Sequence, residues 1–211
     1  MLLKNLADLQ KQELVTLGLF GGTFDPPHLG HQQAMLLACE ELKLSRLLVM
    51  PAGFNPLKFG HNLFSNEQRL TMLELLTKQD PRLLVSDWEV EQFKQNAKRS
   101  YSIETIIALR AVVGPDLPIY FIIGSDVFAD FEKFQRYQEL RQLCKLVVIT
   151  RPGVELVKTS VTPDHILTSP NLLEISSTEL RKKLVTKHFE QTKYLAPEII
   201  AYLEQHAIGK D

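Results

Sequence analysis

The sequence has no surplus of charge of either sign. Its 211 residues include 24 Lys and Arg against 25 Asp and Glu, which gives a formal net charge of −1. A protein that neutralises many phosphates of a nucleic acid usually carries a clear basic excess. We therefore expect no nucleic-acid partner for this chain.

Long apolar runs are missing as well. The longest stretch without a charged residue covers residues 26–39, 14 positions that include two histidines and two glutamines. Such a stretch is too short and too polar to cross a bilayer. Residues 1–13 carry Lys4, Asp8 and Lys11 among their leucines and lack the apolar core of an export signal. These absences predict a cytoplasmic protein with no membrane partner.

Cysteine is scarce, with two residues in the chain. Cys39 and Cys144 lie far apart, so the sequence contains neither a C-x-x-C pair nor the spacing of a zinc site. Their apolar surroundings predict two buried thiols in a reducing compartment.

Hydrophobic residues make up 45% of the chain and charged residues 23%, the balance of an ordinary globular protein. Short apolar runs alternate with helical patterns, which is typical of β-α units that build a parallel sheet. The predicted strands cover residues 14–20, 46–50, 83–86, 119–123, 145–150 and 172–175. The predicted helices cover residues 29–43, 66–77, 102–112, 127–143 with a break, 177–186 and 196–206. We expect an α/β fold, a single doubly wound Rossmann-like domain over residues 14–211 with a mostly parallel sheet.

An N-terminal extension, residues 1–13, precedes this domain. Leu2, Leu6 and Leu9 have helical spacing, which is consistent with a docking helix or a dimer contact. Fraying of a chain end is equally compatible with the sequence. A flexible extension and a homo-oligomer are therefore both left open.

Two adjacent glycines and two histidines follow the first predicted strand. Gly21 and Gly22 allow backbone N–H groups to approach and cradle phosphate oxygens. His28 and His31, if both are helical, lie about 60° apart around the helix axis and ~4.5 Å apart along it. Both rings can then face one anion at the positive end of a helix. A plain turn with surface histidines is the simpler alternative, and a zinc pair is disfavoured because no third ligand is evident.

A second polar segment follows the last predicted strand. Ser176 and Glu179 form a capping box, which by itself only starts a helix. Ser177 and Thr178 add hydroxyls at the helix N-terminus, and Arg181 adds a cation one turn further on. This arrangement suits a polyphosphate.

A third segment ends the buried strand at 119–123. This strand is followed by Gly124 and by Asp126, whose carboxylate could accept hydrogen bonds from ribose hydroxyls. Helix capping by Ser125 or Asp126 is the structural alternative.

These segments together resemble the signatures of the nucleotidylyltransferase superfamily. Residues 21–31 contain its H-x-G-H, and the form with Phe-Asp-Pro is most similar to that of the bacterial nicotinate-nucleotide adenylyltransferase family. Other segments match that family in the same order: R-x-x-M at Arg69 and Met72, S-Y-[ST]-x-x-T at 100–105, F-I-I-G-x-D at 121–126, R-P-G at 151–153 and I-S-S-T-x-x-R at 175–181.

The resemblance implies a reaction. Members of that family transfer the adenylyl group of ATP, accompanied by Mg²⁺, to nicotinate mononucleotide. The products are pyrophosphate and nicotinate adenine dinucleotide, an intermediate of NAD biosynthesis. An adenylyltransferase for nicotinamide mononucleotide or another small phosphate, and a non-catalytic nucleotide-binding regulator, are the alternatives.

The resemblance also implies site residues. The catalytic residues would be His28, His31 and Arg181. ATP would be bound by Gly21, Gly22, Thr23, Phe24, Gly124, Asp126, Ser177, Thr178 and Arg181. The pyridine nucleotide would be bound by Lys58, Thr105, Phe134 and Arg151. No protein metal site is implied.

Two positions depart from the family pattern. The loop at residues 55–58 keeps the cation, Lys58, and loses the usual histidine, so a solvated loop lysine is the alternative reading. Phe134 stands where the family usually has a tryptophan that stacks on the pyridine. Its smaller ring predicts weaker stacking, and an ordinary core residue is the alternative.

Overall fold

The computed structural model of the chain describes residues 2–56, 62–150, 153–185 and 193–206, which form a seven-stranded sheet flanked by helices. The strands are β1 (Leu2–Leu3), β2 (Leu17–Gly22), β3 (Arg46–Pro51), β4 (Leu83–Ser86), β5 (Ile119–Gly124), β6 (Lys145–Ile149) and β7 (His165–Leu167). The helices are α1 (Leu29–Glu41), α2 (Asn66–Thr77), α3 (Trp88–Asn96), α4 (Ser102–Val113), α5 (Ser125–Phe128), α6 (Tyr137–Leu143), α7 (Ser177–Val185) and α8 (Pro197–Gln205). Two 3₁₀ helices cover Leu6–Lys11 and Phe131–Lys133.

The sheet has the order β1-β4-β3-β2-β5-β6-β7, and every pairing between described strands is parallel. After β2 the chain runs to β3 and β4 on one side, whereas β5, β6 and β7 add to the other side. The direction of winding therefore changes between β2 and β5. In doubly wound folds, a crevice for ligands opens at this point, beyond the carboxyl ends of the two strands. The predicted fold class is confirmed.

Helices cover both faces of the sheet because its central strands are apolar on both sides. Leu47, Leu48 and Val49 in β3 have no exposed surface, as expected for a parallel sheet. One apolar core packs α1, α2, α7 and α8 against the sheet. The other packs α4, α5, α6 and the first 3₁₀ helix. Cys39 and Cys144 are buried and unpaired as predicted, and burial raises the pKa of both thiols to about 12.

The predicted strand at residues 172–175 is wrong. The backbone N–H of Leu173 donates to the side chain of Gln33, and that of Ile175 donates to the Leu173 carbonyl, so neither joins a strand ladder. The last strand is β7 instead, paired with β6. It was missed because it has three residues and carries an exposed Ile166 at the sheet edge.

Two helical regions also refine the sequence prediction. The predicted broken helix at 127–143 is confirmed as α5, a 3₁₀ turn and α6. Helix α3 was not predicted, because six of its nine residues are charged or amide side chains. It ends at Ala97, which takes the left-handed conformation with φ 51°.

The first described residues of the chain pack on the sheet and on the second core. β1 pairs with the carboxyl end of β4, and Asn5 caps the following 3₁₀ helix by accepting the N–H of Ala7. Leu3, Leu6 and Leu9 are buried in the second core. None of the helices in the described ranges has the length and apolar content needed to cross a bilayer.

Leu9→Ala tests whether this segment belongs to the folded unit. Since Leu9 has no exposed surface, its truncation should lower the free energy of unfolding by about 2–4 kcal/mol in urea denaturation. The control is Lys11→Ala, which removes an exposed ion pair with Asp8 and should leave stability close to that of wild type. Equal stability of Leu9→Ala and wild type would mean that the segment does not contribute to the core.

Candidate active site

A crevice of about 260 Å³ lies beyond the carboxyl ends of β2 and β5. Its walls come from the loop after β2, the start of α1, the turn from β5 into α5 and the segment that leads into α7. Ten of the predicted residues line it: Gly21, Gly22, Thr23, Phe24, His28, His31, Gly124, Asp126, Ser177 and Thr178. The structure thus brings three separate sequence segments together at the point where the winding direction changes.

His28 and His31 form a reciprocal cap at the start of α1. His28 is the N-cap with extended backbone, whereas His31 lies within α1, so the condition that both residues are helical is not met. The N–H of His31 donates to Nδ1 of His28 at 3.3 Å, and the N–H of His28 donates to Nδ1 of His31 at 3.2 Å. The rings stack with their centroids 3.6 Å apart.

This capping arrangement fixes the tautomer of both rings. Because each Nδ1 accepts a hydrogen bond, a neutral ring carries its proton on Nε2. In this tautomer each imidazole has an N–H donor at Nε2, and both residues line the crevice. Phe24 packs its ring against the edge of His31, 5.0 Å between centroids, from a backbone with φ 51°. A positive φ is unfavourable for a phenylalanine, and such strain is often retained at functional sites.

Gly30 provides the space that the stacked rings need. A Cβ at this position would lie 3.0 Å from Nδ1 of His28 and 3.1 Å from Cγ2 of Ile175. Any side chain would therefore push the first histidine or the 172–178 segment away. Close packing around position 30 is therefore the physical reason for a glycine in H-x-G-H.

Arg181 connects α7 to the loop after β2. Its Nη1 donates to the Asp25 carbonyl at 2.7 Å, and its Nη2 donates to the Thr178 hydroxyl at 3.0 Å. The Ser177 hydroxyl donates to the Pro26 carbonyl at 3.0 Å. The Asp25 carboxylate is buried and lies 3.5 Å from the Arg181 guanidinium. The start of α7 is thus fixed against the loop that carries the histidines.

Arg69 is a buried residue to which the sequence assigned no role in the site. It lies in α2 with no exposed surface, and its guanidinium donates to the carbonyls of Thr23 at 2.5 Å and Ala52 at 2.7 Å. Burial lowers its pKa, and the charge of the nearby Asp25 opposes this shift. Arg69 thus joins the loops after β2 and β3, because it donates to one backbone carbonyl of each. The available signal was an arginine among the apolar positions of a helix.

The predicted pyridine-nucleotide residues lie elsewhere. Thr105 is buried in α4 and lines a separate narrow cavity with Arg99 and Tyr101. Phe134 packs against Phe131 and Phe121 in the second core and does not line the crevice. Lys58 and Arg151 lie outside the described residues.

Glu89 and Glu104 are the two acidic residues that line the narrow cavity. No sequence pattern indicated a role for Glu89. Its carboxylate accepts the Thr105 hydroxyl at 2.5 Å. Burial raises the pKa of Glu89 to about 7, although hydrogen bonds from Thr105 and Ser100 oppose the shift. The Ser100 hydroxyl in turn accepts the N–H groups of Gly53 and Phe54 at 3.0 and 3.4 Å. Glu89 thereby stabilises the contact between the loop after β3 and the start of α4.

Comparison with known proteins places this geometry in a class. A sequence profile described as cytidylyltransferase-like matches residues 19–183, most of the chain. A solved structure of Plasmodium falciparum nicotinic acid mononucleotide adenylyltransferase complexed with NaAD has a TM-score of 0.75 at 18% identity, over 92% of this chain and 97% of that one. The protein therefore has the cytidylyltransferase-like fold.

Curated relatives narrow the class to one family. A Solibacter usitatus protein named probable nicotinate-nucleotide adenylyltransferase is 35% identical over 191 residues, which cover 90% of this chain and 97% of the relative. A protein of the same name from Cellvibrio japonicus is 33% identical over 204 residues, covering 88% and 93%. The chain belongs to the nicotinate-nucleotide adenylyltransferase family.

The Glu89→Gln substitution tests whether the pKa of the buried Glu89 carboxyl is raised. Because the pKa of folded Glu89 is about 7 against an ordinary 4.5, the folded protein retains a proton that the unfolded chain releases between these values. Wild type should therefore lose up to about 3 kcal/mol of stability relative to Glu89→Gln as the pH rises from about 5 to about 8. Urea unfolding at both pH values measures this difference. Parallel pH profiles of the two proteins would contradict the raised pKa.

Proposed function

We propose that this chain transfers the adenylyl group of ATP to nicotinate mononucleotide. A phosphate oxygen of the acceptor attacks the α-phosphorus of ATP in line. The bond from that phosphorus to the bridging oxygen breaks, and pyrophosphate leaves with the bonding electrons. The product is nicotinate adenine dinucleotide, an intermediate of NAD biosynthesis. The observation that carries this proposal is the stacked histidine pair that caps the start of α1 and lines the crevice.

The acceptor phosphate is already an adequate nucleophile, so the reaction does not need a strong general base. The main barrier is repulsion between anions and the need to align them. Donors and cations placed before the reaction begins lower this barrier. His28 and His31 would bind oxygens of the α- and β-phosphates, aided by the positive end of the α1 dipole.

The remaining walls of the crevice suit the other parts of ATP. The backbone of residues 21–24 would contact the nucleotide, and Gly124 with Asp126 would contact the ribose. Ser177, Thr178 and Arg181 would steady the leaving pyrophosphate. The contacts of Arg181 with the Asp25 carbonyl and the Thr178 hydroxyl support this role, because they hold the guanidinium at the start of α7.

Mg²⁺ would enter with ATP and screen its phosphate charge. Asp126 is the acidic side chain that lines the crevice. Across the described residues, no group of three or more His, Cys, Asp or Glu side chains is arranged to hold a metal ion. A single carboxylate in the crevice lining suits a Mg²⁺ ion that is coordinated mainly by ATP oxygens and water.

The acceptor would lie on the β3–β4 side of the crevice. The family to which the chain belongs supports nicotinate mononucleotide as the acceptor. Lys58, Phe134 and Arg151 remain proposed contacts. We further propose that residues 14–211 form the catalytic unit, that residues 1–13 are an added segment packed on it, and that the enzyme acts in the cytoplasm.

His28→Ala tests the phosphate role. Loss of one charge-assisted contact to the transition state should reduce kcat by about 10²–10³, measured as pyrophosphate release from ATP and nicotinate mononucleotide. The matched control is His165→Ala in β7, outside the crevice lining, which should retain wild-type turnover. Near-normal turnover of folded His28→Ala would contradict the mechanism.

A further inference from the structure

Residues 172–175 form part of the crevice wall without belonging to the sheet. Leu172, Leu173 and Ile175 line the crevice, and no strand covers this segment of the described chain. Two of its hydrogen bonds are local, from the N–H groups of Leu172 and Ile175 at 3.1 Å each. Backbone outside a strand ladder needs further partners to keep one position.

Gln33 in α1 binds this segment. Its Oε1 accepts the Leu173 N–H at 2.9 Å. Packing brings the same two elements together, since a Cβ on Gly30 would lie 3.1 Å from Cγ2 of Ile175. The helix that begins with the histidine cap therefore also fixes the position of residues 172–175.

The proposed placement of ATP leaves this part of the wall for the nucleobase. The phosphates would lie at the histidines and at the start of α7, the ribose beyond β5, and the acceptor on the side of β3. On the side of β6 the crevice is lined by Ile149, and Leu172 and Leu173 add further apolar surface. Apolar side chains suit the faces of a purine ring. Residues 172–175 are therefore the part of the wall that fits adenine.

We propose that Gln33 is a positioning residue for ATP, because it holds the wall against which the adenine packs. This inference rests on the proposed function, which supplies ATP as the substrate. Without the Gln33 acceptor, the Leu173 N–H loses its partner and residues 172–175 spend part of the time away from the crevice. A site that is formed for only a fraction of the time binds its ligand more weakly by that fraction. The loss falls on the nucleoside of ATP, since the phosphates are held by other residues.

Equilibrium binding of ATP with Mg²⁺ to Gln33→Met tests this role. Methionine keeps the length of the side chain and replaces the amide by a thioether, which is a weak acceptor. We expect the Kd for ATP, measured by calorimetry without an acceptor nucleotide, to rise about fivefold, as for the loss of one neutral hydrogen bond. The Kd for tripolyphosphate should change by less than about twofold, because this ligand lacks the nucleoside and does not touch the wall. Gln33→Glu retains a side-chain oxygen acceptor and should bind ATP more tightly than Gln33→Met does.

Gln32→Met is the matched control, because it makes the same change at the neighbouring position of α1. The Gln32 Nε2 donates to the Leu76 carbonyl in α2 at 2.7 Å, so this variant also loses one hydrogen bond between elements. Neither Gln32 nor Leu76 is among the described residues that line the crevice. The thermal midpoints of the two methionine variants should fall by similar amounts, whereas Gln32→Met should bind ATP as wild type does.

Three results would overturn the proposal: unchanged ATP affinity in Gln33→Met, an equal loss for ATP and tripolyphosphate, or an equal loss of ATP affinity in Gln32→Met. Failure of wild type to form a dinucleotide from ATP and nicotinate mononucleotide would instead overturn the proposed function. The two failures are distinguishable, because the binding comparison needs no acceptor and no turnover.

Discussion

Each histidine at the start of α1 accepts the backbone N–H of the other through Nδ1, and the chemistry of the crevice depends on this exchange. The two bonds satisfy N–H groups at the beginning of the helix, stack the rings and leave the ring proton on Nε2. A helix N-terminus that already attracts anions thereby gains two side-chain donors. Structure and function coincide here, because the residues that begin the helix also present donors to a phosphate.

Buried charges hold this start of the helix in place. Asp25 accepts the N–H groups of Leu63 and Phe64 at 3.0 and 2.9 Å, and Arg69 donates to two loop carbonyls. Removing charged groups from water costs several kcal/mol each unless hydrogen bonds compensate. Such a network contributes little net stability and defines one geometry for the loops. That geometry is what an enzyme needs when its barrier consists mainly of positioning anions.

The site residues that directly follow a strand or begin a helix were predictable from the sequence. The glycines and histidines of 21–31, Gly124 with Asp126, and Ser177 with Thr178 each follow a strand or begin a helix, so the rule for parallel sheets placed them at one edge. The strands at 46–50, 83–86 and 119–123 were found because continuous apolar runs identify buried parallel strands. β7 was not, because three residues at a sheet edge carry no such run.

Residues that act through burial were not predictable. Arg69 and Glu89 are charged, and charged residues are expected at the surface. The position of Arg69 among the apolar residues of α2 was the one sequence signal of burial, and Glu89 had none. The same limit applies to Phe134: the sequence admitted a stacking or a core role, and the structure packs its ring against two other phenylalanines of the core.

Phosphorus NMR of the wild-type protein with ATP, Mg²⁺ and nicotinate mononucleotide detects adenylyl transfer itself. If the crevice between β2 and β5 transfers the adenylyl group to nicotinate mononucleotide, the ATP α-phosphorus signal and the acceptor phosphate signal should disappear together. Signals of one dinucleotide and one pyrophosphate should replace them in equal amounts. Unchanged ATP and acceptor signals, or release of inorganic phosphate without a dinucleotide, would contradict it.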